Sequence, residues 1–235
     1  MSWQSNFIFI ILRNILRETG LNKLILKIIS SKGYETKFEK MWLNHLKNGD
    51  YIWDIGANIG YYTKLFSRHV GLSGKIFAFE PSPKNFFTLA SNCSSLKNVT
   101  LFQIGLGEEN KKNRFIQGND ELGATSRIID DDKNGELIEV KSGSYLIQNG
   151  IVPIPDAIKI DVEGYEYEVL LGLNEYLKNP KIRIVGVEIH FNILKKRGKQ
   201  FAPKWIEKLL ICNGFKIYWT DLNHIFAIRL FKCNI

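Results

Sequence analysis

The 235-residue sequence has few of the residues that would build a disulfide framework or a zinc site. Its three cysteines, Cys93, Cys212 and Cys233, are far apart and form no Cys-x-x-Cys pair. A disulfide-rich or zinc-stabilised domain is therefore not expected, and a reducing compartment is the natural location. Internal repeats and low-complexity tracts are also missing, so the length suits one large domain with an extension.

The sequence also lacks an apolar run of the roughly 20 residues that a membrane span needs. Phe7–Leu12 is apolar, but no basic stretch precedes it and Arg13 interrupts it, so no secretory signal is predicted. We expect a cytoplasmic protein. Residues 7–29 have the pattern of a basic amphipathic helix, which would lie on a membrane surface, cover its own domain or pair with a second subunit. The sequence leaves these three interpretations open, and with them peripheral membrane contact and oligomeric state.

Acidic residues are outnumbered, with 24 Asp and Glu against 32 Lys and Arg and a net charge of +8. This balance indicates an anionic partner, such as nucleic acid, a phosphorylated or lipid-linked substrate or a membrane surface, or else simply a lysine-rich surface. A basic segment at 195–199, Lys-Lys-Arg-Gly-Lys, is either a solvated loop or a docking surface for an anionic acceptor.

Apolar runs and turn signals predict strands alternating with helices after residue 35, which is typical of a doubly wound parallel α/β sheet. The predicted strands are 51–55, 75–79, 99–104, 157–162, 183–189, 215–220 and 225–230, the last two forming an antiparallel hairpin. The predicted helices are 38–46, 62–69, 85–93, 165–177 and 203–212. Residues 106–156 interrupt this alternation as an insertion of short strands and loops. We therefore divide the chain into an N-terminal helical extension, residues 1–35, and one domain, residues 36–235.

The most informative segment is the loop after the first strand, Asp54-Ile-Gly56-Ala-Asn58-Ile-Gly60. Its glycine spacing differs from the Gly-x-Gly-x-x-Gly fingerprint that holds a pyrophosphate at a helix N-terminus. A carboxylate beside a pyrophosphate would be repelled by about 1 kcal/mol at 4 Å even in water. Asp54 instead suits a cofactor with a cationic tail, and Glu80, at the end of the next strand, suits ribose hydroxyls. S-adenosylmethionine has both features.

Other residues stand at the carboxyl ends of the predicted strands, where doubly wound sheets bind their ligands. They are Gly105, Asp161 and Glu188. A single acid at such a position either binds a ligand or caps the following helix. Several converging acids would repel each other unless they bound something, so the set as a whole indicates a ligand site. Asp161 is also suited to the cationic amino-acid end of the cofactor, and Gly105 is a further predicted cofactor contact.

Three motifs together resemble the FkbM-type methyltransferases, class I S-adenosylmethionine enzymes that methylate hydroxyl groups. They are Asp54–Thr63, Phe79–Pro83 and the segment Lys159-Ile-Asp161-Val-Glu163-Gly164-Tyr-Glu166. The resemblance covers residues 34–230 and implies a seven-stranded sheet with a reversed last strand. It also implies cofactor contacts from Asp54, Gly56, Asn58, Gly60 and Glu80. The chain departs from the family at Ser142-Gly143-Ser144, where a Leu-Asp pair is usual. The insertion is therefore the part of the chain to which the family's properties apply least.

Methyl transfer to oxygen requires an aligned hydroxyl and a group that accepts its proton. The predicted catalytic residues are Asp161, Glu163 and His190, and His190 has the pKa suited to a general base near neutrality. A structural role for His190, and a helix-start role for Glu163 and Glu166, stay open. Asp161, Glu188 and His190 are also of the types that hold a divalent ion, but their spacing does not require one and no metal is assigned.

We therefore predict an S-adenosylmethionine-dependent O-methyltransferase acting on a carbohydrate or another small hydroxylated metabolite. One alternative is a non-catalytic ligand- or partner-binding module on the same fold, and another is a nucleic-acid methyltransferase. Adenine N-methylation typically uses an Asp/Asn-Pro-Pro-aromatic motif after the fourth strand, where this chain has Asp161-Val-Glu-Gly164. No specific nucleic-acid partner is therefore expected.

Overall fold

The computed structural model describes residues 34–116, 127–129 and 135–230. The predicted amphipathic helix at 7–29 lies outside these residues. The strands are β1 Tyr51–Ile55, β2 Lys75–Phe79, β3 Val99–Phe102, β4 Gly105–Gly107, β5 Lys111–Ile116, β6 Arg127–Ile129, β7 Glu136–Ser142, β8 Ala157–Ile160, β9 Ile184–Glu188, β10 Phe215–Trp219 and β11 His224–Arg229. The helices are α1 Tyr34–His45, α2 Tyr61–Val70, α3 Pro83–Cys93, α4 Gly143–Gln148, α5 Glu166–Leu173, α6 Phe191–Lys196 and α7 Ala202–Cys212, with a 3-10 helix at Asn174–Lys178.

The main sheet has seven strands in the order β10-β11-β9-β8-β1-β2-β3. The pairs among β3, β2, β1, β8 and β9 are parallel, whereas β11 is antiparallel to both β9 and β10. This arrangement confirms the predicted seven-stranded doubly wound sheet with a reversed last strand. The chain runs outward from β1 to β3 and then returns to β8 on the other side of β1. The switch point of the sheet, where ligands bind in such folds, therefore lies between β1 and β8.

Apolar residues cover both faces of the sheet, as expected for parallel strands buried on both sides. Along β1, Trp53 and Ile55 belong to one apolar cluster, together with side chains of α5 and α7. Ile52 belongs to a second cluster with side chains of α1 and α2, including Trp42 and Phe66. Because successive strand residues point to opposite faces, Asp54 lies on the same face as Ile52 and faces α2.

The insertion forms a second sheet, in the order β4-β7-β5-β6. Its first strand, β4, is only three residues long and follows β3 after two residues. The predicted strand 99–104 therefore ends at Phe102, and Gly105, expected to follow that strand, begins a strand of the second sheet. The predicted helix 165–177 likewise changes to a 3-10 helix after Leu173. Two helices of six residues, α4 and α6, were not predicted, because so few residues do not show a helical period.

The segment Ser142-Gly143-Ser144, which departs from the family pattern, begins α4. The Ser142 hydroxyl accepts a hydrogen bond from the Tyr145 amide, and the Ser144 hydroxyl donates one to the Gly172 carbonyl of α5. This segment therefore caps a helix and fastens it to its neighbour. Within the described part of the chain, no helix is both long and apolar enough to cross a bilayer.

Candidate active site

The loop after β1 makes a tight turn because three of its residues have left-handed backbone conformations. Gly56, Asn58 and Gly60 have φ values of 77°, 51° and 90°. A Cβ atom on Gly56 would lie 1.8 Å from the Asp161 carbonyl oxygen, so only glycine fits there. Gly56 is thus needed for the contact between this loop and the end of β8, whether or not a ligand is bound. Gly60 is buried at the start of α2.

Beside this loop, an ion pair links the two central strands. Asp54 and Lys159 are direct partners in the β1–β8 register, and the Lys159 Nζ lies 3.3 Å from the Asp54 Oδ1 and 3.4 Å from the Asp161 Oδ2. The Thr63 hydroxyl also donates a hydrogen bond to Asp54. Burial alone would lower the pKa of Lys159, but Asp54 and Asp161 outweigh burial and raise it. Lys159 is therefore a buried ammonium that bridges two of the predicted cofactor-binding carboxylates.

The loop after β1 is also held by Glu80, which follows β2. Its carboxylate accepts hydrogen bonds from the backbone amides of Asn58, at 2.8 Å, and Ser82, at 2.9 Å. Burial raises the pKa of Glu80 to about 7, and these two amides lower it only in part. The Asn58 Oδ1 is buried without a hydrogen-bond partner in the described structure. Such an orphan acceptor beside a buried acid fits a ligand that brings hydroxyl or amine donors.

A cavity of about 290 Å³ opens at the switch point of the sheet. This volume is at the lower end of the range usual for small-molecule sites, about 300–1,000 Å³. The cavity brings together residues from the loop, from the strand ends and from the insertion. They include Gly56, Asn58, Glu80, Gly105, Phe115, Ile128, Asp161, Glu163 and Glu188. Two of the predicted cofactor contacts, Asp54 and Gly60, are buried and are not among these lining residues.

The predicted catalytic residues lie together around His190, and two of them, Asp161 and Glu163, line the cavity. The His190 Nε2 lies 3.3 Å from Glu163, 3.8 Å from Glu188 and 3.9 Å from Asp161, and its Nδ1 lies 2.5 Å from the buried Glu166. Burial alone would lower the pKa of His190, but Glu163 and Glu166 raise it well above its usual value. The ring is therefore protonated at neutral pH in this arrangement and donates hydrogen bonds.

The carboxylates around His190 differ in their surroundings. Burial raises the pKa of Glu163 and of Asp161, and the neighbouring cations offset this only in part. Burial would raise the pKa of Glu188 as well. The hydrogen bond from His224 and the charges of His190 and His224 outweigh burial and lower this pKa to about 2. His224 in turn has its pKa raised to about 9, because Asp221 and Glu188 outweigh its burial. Glu163 and Asp161 are thus the more basic of the three carboxylates that line the cavity here.

A strained turn directs Glu163 into this cluster. Glu163 has a φ of 49° and Gly164 a φ of 89°, both left-handed. The Gly164 carbonyl accepts a hydrogen bond from Arg197, whose guanidinium also lies 2.6 Å from Glu168 and 4.6 Å from the centre of the Tyr165 ring. Lys199 also pairs with Glu168. Two of the four cations in the basic segment 195–199 therefore hold the structure together, whereas Lys195 and Lys196 are exposed.

Two residues of the candidate site were not identified from the sequence. Lys159 stands two residues before Asp161 in an otherwise apolar strand, and this isolated charge was a signal that could have been used. His224 was assigned to a hairpin turn, but it begins β11 and pairs with Glu188 in the β11–β9 register. Its position depends on the insertion of β11 between β9 and β10, which no local pattern indicates.

A parallel sheet with one reversed strand, a glycine turn after β1 and an acid after β2 together define a methyltransferase of the S-adenosylmethionine-dependent class. Residues 54–217 match the Methyltransferase FkbM domain family. The chain belongs to this family, so it is a methyltransferase and S-adenosylmethionine is its cofactor.

Similar proteins agree with this assignment. The hexuronic acid methyltransferase AglP of Haloferax volcanii is 30% identical over 185 residues, which are 78% of this chain and 71% of that protein. The 31-O-demethyl-FK506 methyltransferase FkbM of Streptomyces tacrolimicus is 27% identical, over 65% of this chain and 71% of its own length. The crystal structure of an FkbM methyltransferase from Methylobacillus flagellatus has the same fold, with a TM-score of 0.53 and 17% identity. That likeness covers 78% of this chain and 44% of the solved one.

Proposed function

We propose that the protein transfers a methyl group from S-adenosylmethionine to a hydroxyl of a carbohydrate. The observation that carries this proposal is the cluster of Asp161, Glu163 and His190, which borders the same cavity as the cofactor loop. A hydroxyl acceptor needs a carboxylate or imidazole within reach to take its proton, and this cluster provides one. The similarity to a hexuronic acid methyltransferase favours a sugar as the acceptor.

When bound, S-adenosylmethionine would supply an electrophilic methyl group for the acceptor oxygen. On the protein side, Glu80 and the Asn58 Oδ1 are placed to accept hydrogen bonds from the cofactor's donors. Asp161, which lines the same cavity, offers its carboxylate to the cationic amino-acid group of the cofactor. These residues hold and orient the cofactor, which is the larger part of catalysis in a displacement reaction.

The proton of the acceptor hydroxyl goes to a carboxylate, and Glu163 is the best placed for it. Glu163 lines the cavity, and burial raises the pKa of its carboxyl group. His190 is less suited to be the first proton acceptor, because its ring is already protonated and donates to Glu163 and Glu166. We assign His190 to holding Glu163 in place. The products are then a methyl ether, S-adenosylhomocysteine and a proton.

The test is transfer of a labelled methyl group from S-adenosylmethionine to a panel of acceptors: oligosaccharides with hexuronic acids, neutral oligosaccharides and RNA. We expect label in a carbohydrate, linked through oxygen. Glu163→Gln should reduce the rate strongly, and Glu139→Gln, an exposed acid in β7, should not. Label in RNA would contradict the proposal. Cofactor binding without transfer to any member of the panel would favour the non-catalytic alternative.

A further inference from the structure

The carboxyl edge of the sheet carries more negative than positive charge. Six carboxylates lie in one connected group, and only three side chains in it can be cationic. The carboxylates are Asp54, Asp161, Glu163, Glu166, Glu188 and Asp221, and the cations are Lys159, His190 and His224. Buried charges are normally paired or hold a cation, so this excess indicates a cationic ligand.

Three members of the group are arranged as ligands of one ion. One atom each from Asp161, Glu163 and His190 lies within 4.8 Å of the other two. The His190 Nε2 is 3.3 Å from the Glu163 Oε2 and 3.9 Å from the Asp161 Oδ1. Two ligands about 2.1 Å from one ion and at right angles lie about 3.0 Å apart, so the distances from the His190 Nε2 would shorten by about 0.3 Å to Glu163 and about 0.9 Å to Asp161.

The orientation of His190 supports the same conclusion independently. Its Nδ1 contacts Glu166, which is fully buried, so the Nε2 is left to face Asp161 and Glu163. Metal-binding histidines typically donate the other ring N–H to a carboxylate in this way. The second carboxylate oxygen of Glu166 has no hydrogen-bond partner in the described structure. Asp161 and Glu163 line the cavity, so an ion would have open coordination positions toward a substrate.

We infer that Asp161, Glu163 and His190 bind a divalent cation, which displaces the proton from the His190 Nε2 into solvent and also ligates the acceptor hydroxyl. Two carboxylate oxygens and one imidazole nitrogen suit Mn²⁺, and Mg²⁺ by the same oxygen preference. The ion would offset the excess negative charge, and a carboxylate-bearing sugar could then approach a site that would otherwise repel it. The role assigned to the ion rests on the proposed O-methylation, but its binding does not. If the ion ligates one oxygen of Glu163, the second oxygen is left for the hydroxyl proton.

Binding is tested with Mn²⁺ alone, by the loss of the free-ion signal in electron paramagnetic resonance. The wild-type chain should bind one ion saturably, and Asp161→Asn and Glu163→Gln should each weaken binding at least about tenfold. Glu166→Gln should weaken it by about 10- to 100-fold without removing a ligand. Glu139→Gln, which changes an exposed acid, should bind as the wild type does. Circular dichroism and thermal unfolding, measured on the same samples, show which variants are folded.

No saturable binding by the wild-type chain would overturn the inference. Binding by folded Asp161→Asn and Glu163→Gln that is as tight as in the wild type would also overturn it. The same holds if Glu139→Gln loses as much affinity for the ion as these two variants do. Methyl transfer that proceeds at an unchanged rate with a chelator would overturn the role of the ion in the reaction. Ion binding without transfer to a hydroxyl would instead contradict the proposed function and leave the ion site standing.

Discussion

Asp54 and Lys159 are neighbours across the two central strands, with the Lys159 Nζ 3.3 Å from the Asp54 carboxylate. Neither side chain is more than 4% exposed. The sequence places Asp54 at the end of a strand, where it is predicted to attract the cationic tail of the cofactor. In the structure its charge is balanced within the protein, and the Asp161 carboxylate is the one that reaches the cavity. Asp54 and Lys159 thus connect the cofactor loop to the end of β8.

Loss of one partner of this pair should strongly destabilise the fold. Lys159→Met leaves Asp54 as an uncompensated buried charge, so we expect a loss of about 3–5 kcal/mol in the free energy of unfolding. Urea denaturation measures this change. Lys141→Met is the control, because its partner Glu139 has a side chain that is 53% exposed, and its effect should stay within about 0.5 kcal/mol. A loss below about 1 kcal/mol in Lys159→Met would show that the pair is not structural.

The cofactor loop should not tolerate a side chain at Gly56. In Gly56→Ala the new methyl group would lie 1.8 Å from the Asp161 carbonyl oxygen, so the loop must move away from β8. We expect a sharp loss of S-adenosylmethionine affinity in calorimetry, together with a lower melting temperature. Gly150→Ala is a matched control, since Gly150 also has a positive φ, of 65°, but no atom lies within 4 Å of the place its methyl group would take. It should cost only about 1 kcal/mol of backbone strain. Equal effects of the two substitutions would contradict this explanation.

Glu80 should make stability depend on pH. Its pKa is raised from 4.5 in the unfolded chain to about 7 in the fold, so the folded state holds more protons between these values. Stability from this residue is therefore greatest below pH 4.5 and falls as the pH rises through 7, by about 3 kcal/mol in total. Glu80→Gln cannot ionise and removes this dependence. The stability difference between variant and wild type should thus shift in favour of the variant as the pH rises, and parallel profiles would refute the assignment.

Arg197 should affect turnover through the position of Glu163. Arg197→Ala removes the hydrogen bond to the Gly164 carbonyl, the ion pair with Glu168 and the stacking on Tyr165. The left-handed turn at Glu163 then loses its support, so we expect kcat to fall about tenfold or more, with S-adenosylmethionine affinity almost unchanged. Lys196→Ala, one residue away and exposed, should leave both unchanged. A parallel loss of cofactor affinity in Arg197→Ala would indicate general destabilisation instead.

The elements of the main sheet could be predicted because each is an apolar run bounded by a turn residue. Strand β1, for example, stops at the Gly56 turn, and β2 stops at Glu80-Pro81. The short elements could not be predicted from the sequence. Strand β4 is Gly-Leu-Gly and is held by its pairing with β7, and α6 has only Phe191 and Leu194 buried. Such elements are set by tertiary contacts and not by local pattern.

The sequence predicts which residues form the candidate site more completely than it predicts which residues they contact. Glu80, Asp161, Glu163 and His190 were identified from their types and from their places after strands. Their partners follow from strand order and register, which place Lys159 beside Asp54 and His224 beside Glu188. His190 was expected to have the pKa of a general base near neutrality, but the carboxylates that the fold brings around it raise its pKa.

The reaction proposed for this site is methylation of a carbohydrate hydroxyl. The most direct measurement is a single-turnover reaction of the chain with methyl-labelled S-adenosylmethionine and a hexuronic acid-containing oligosaccharide, followed by mass spectrometry and nuclear magnetic resonance of the product. We predict one added methyl group on a sugar oxygen, formed by the wild-type chain and lost in Glu163→Gln. A methyl group on nitrogen, or equal product from Glu163→Gln, would contradict the account.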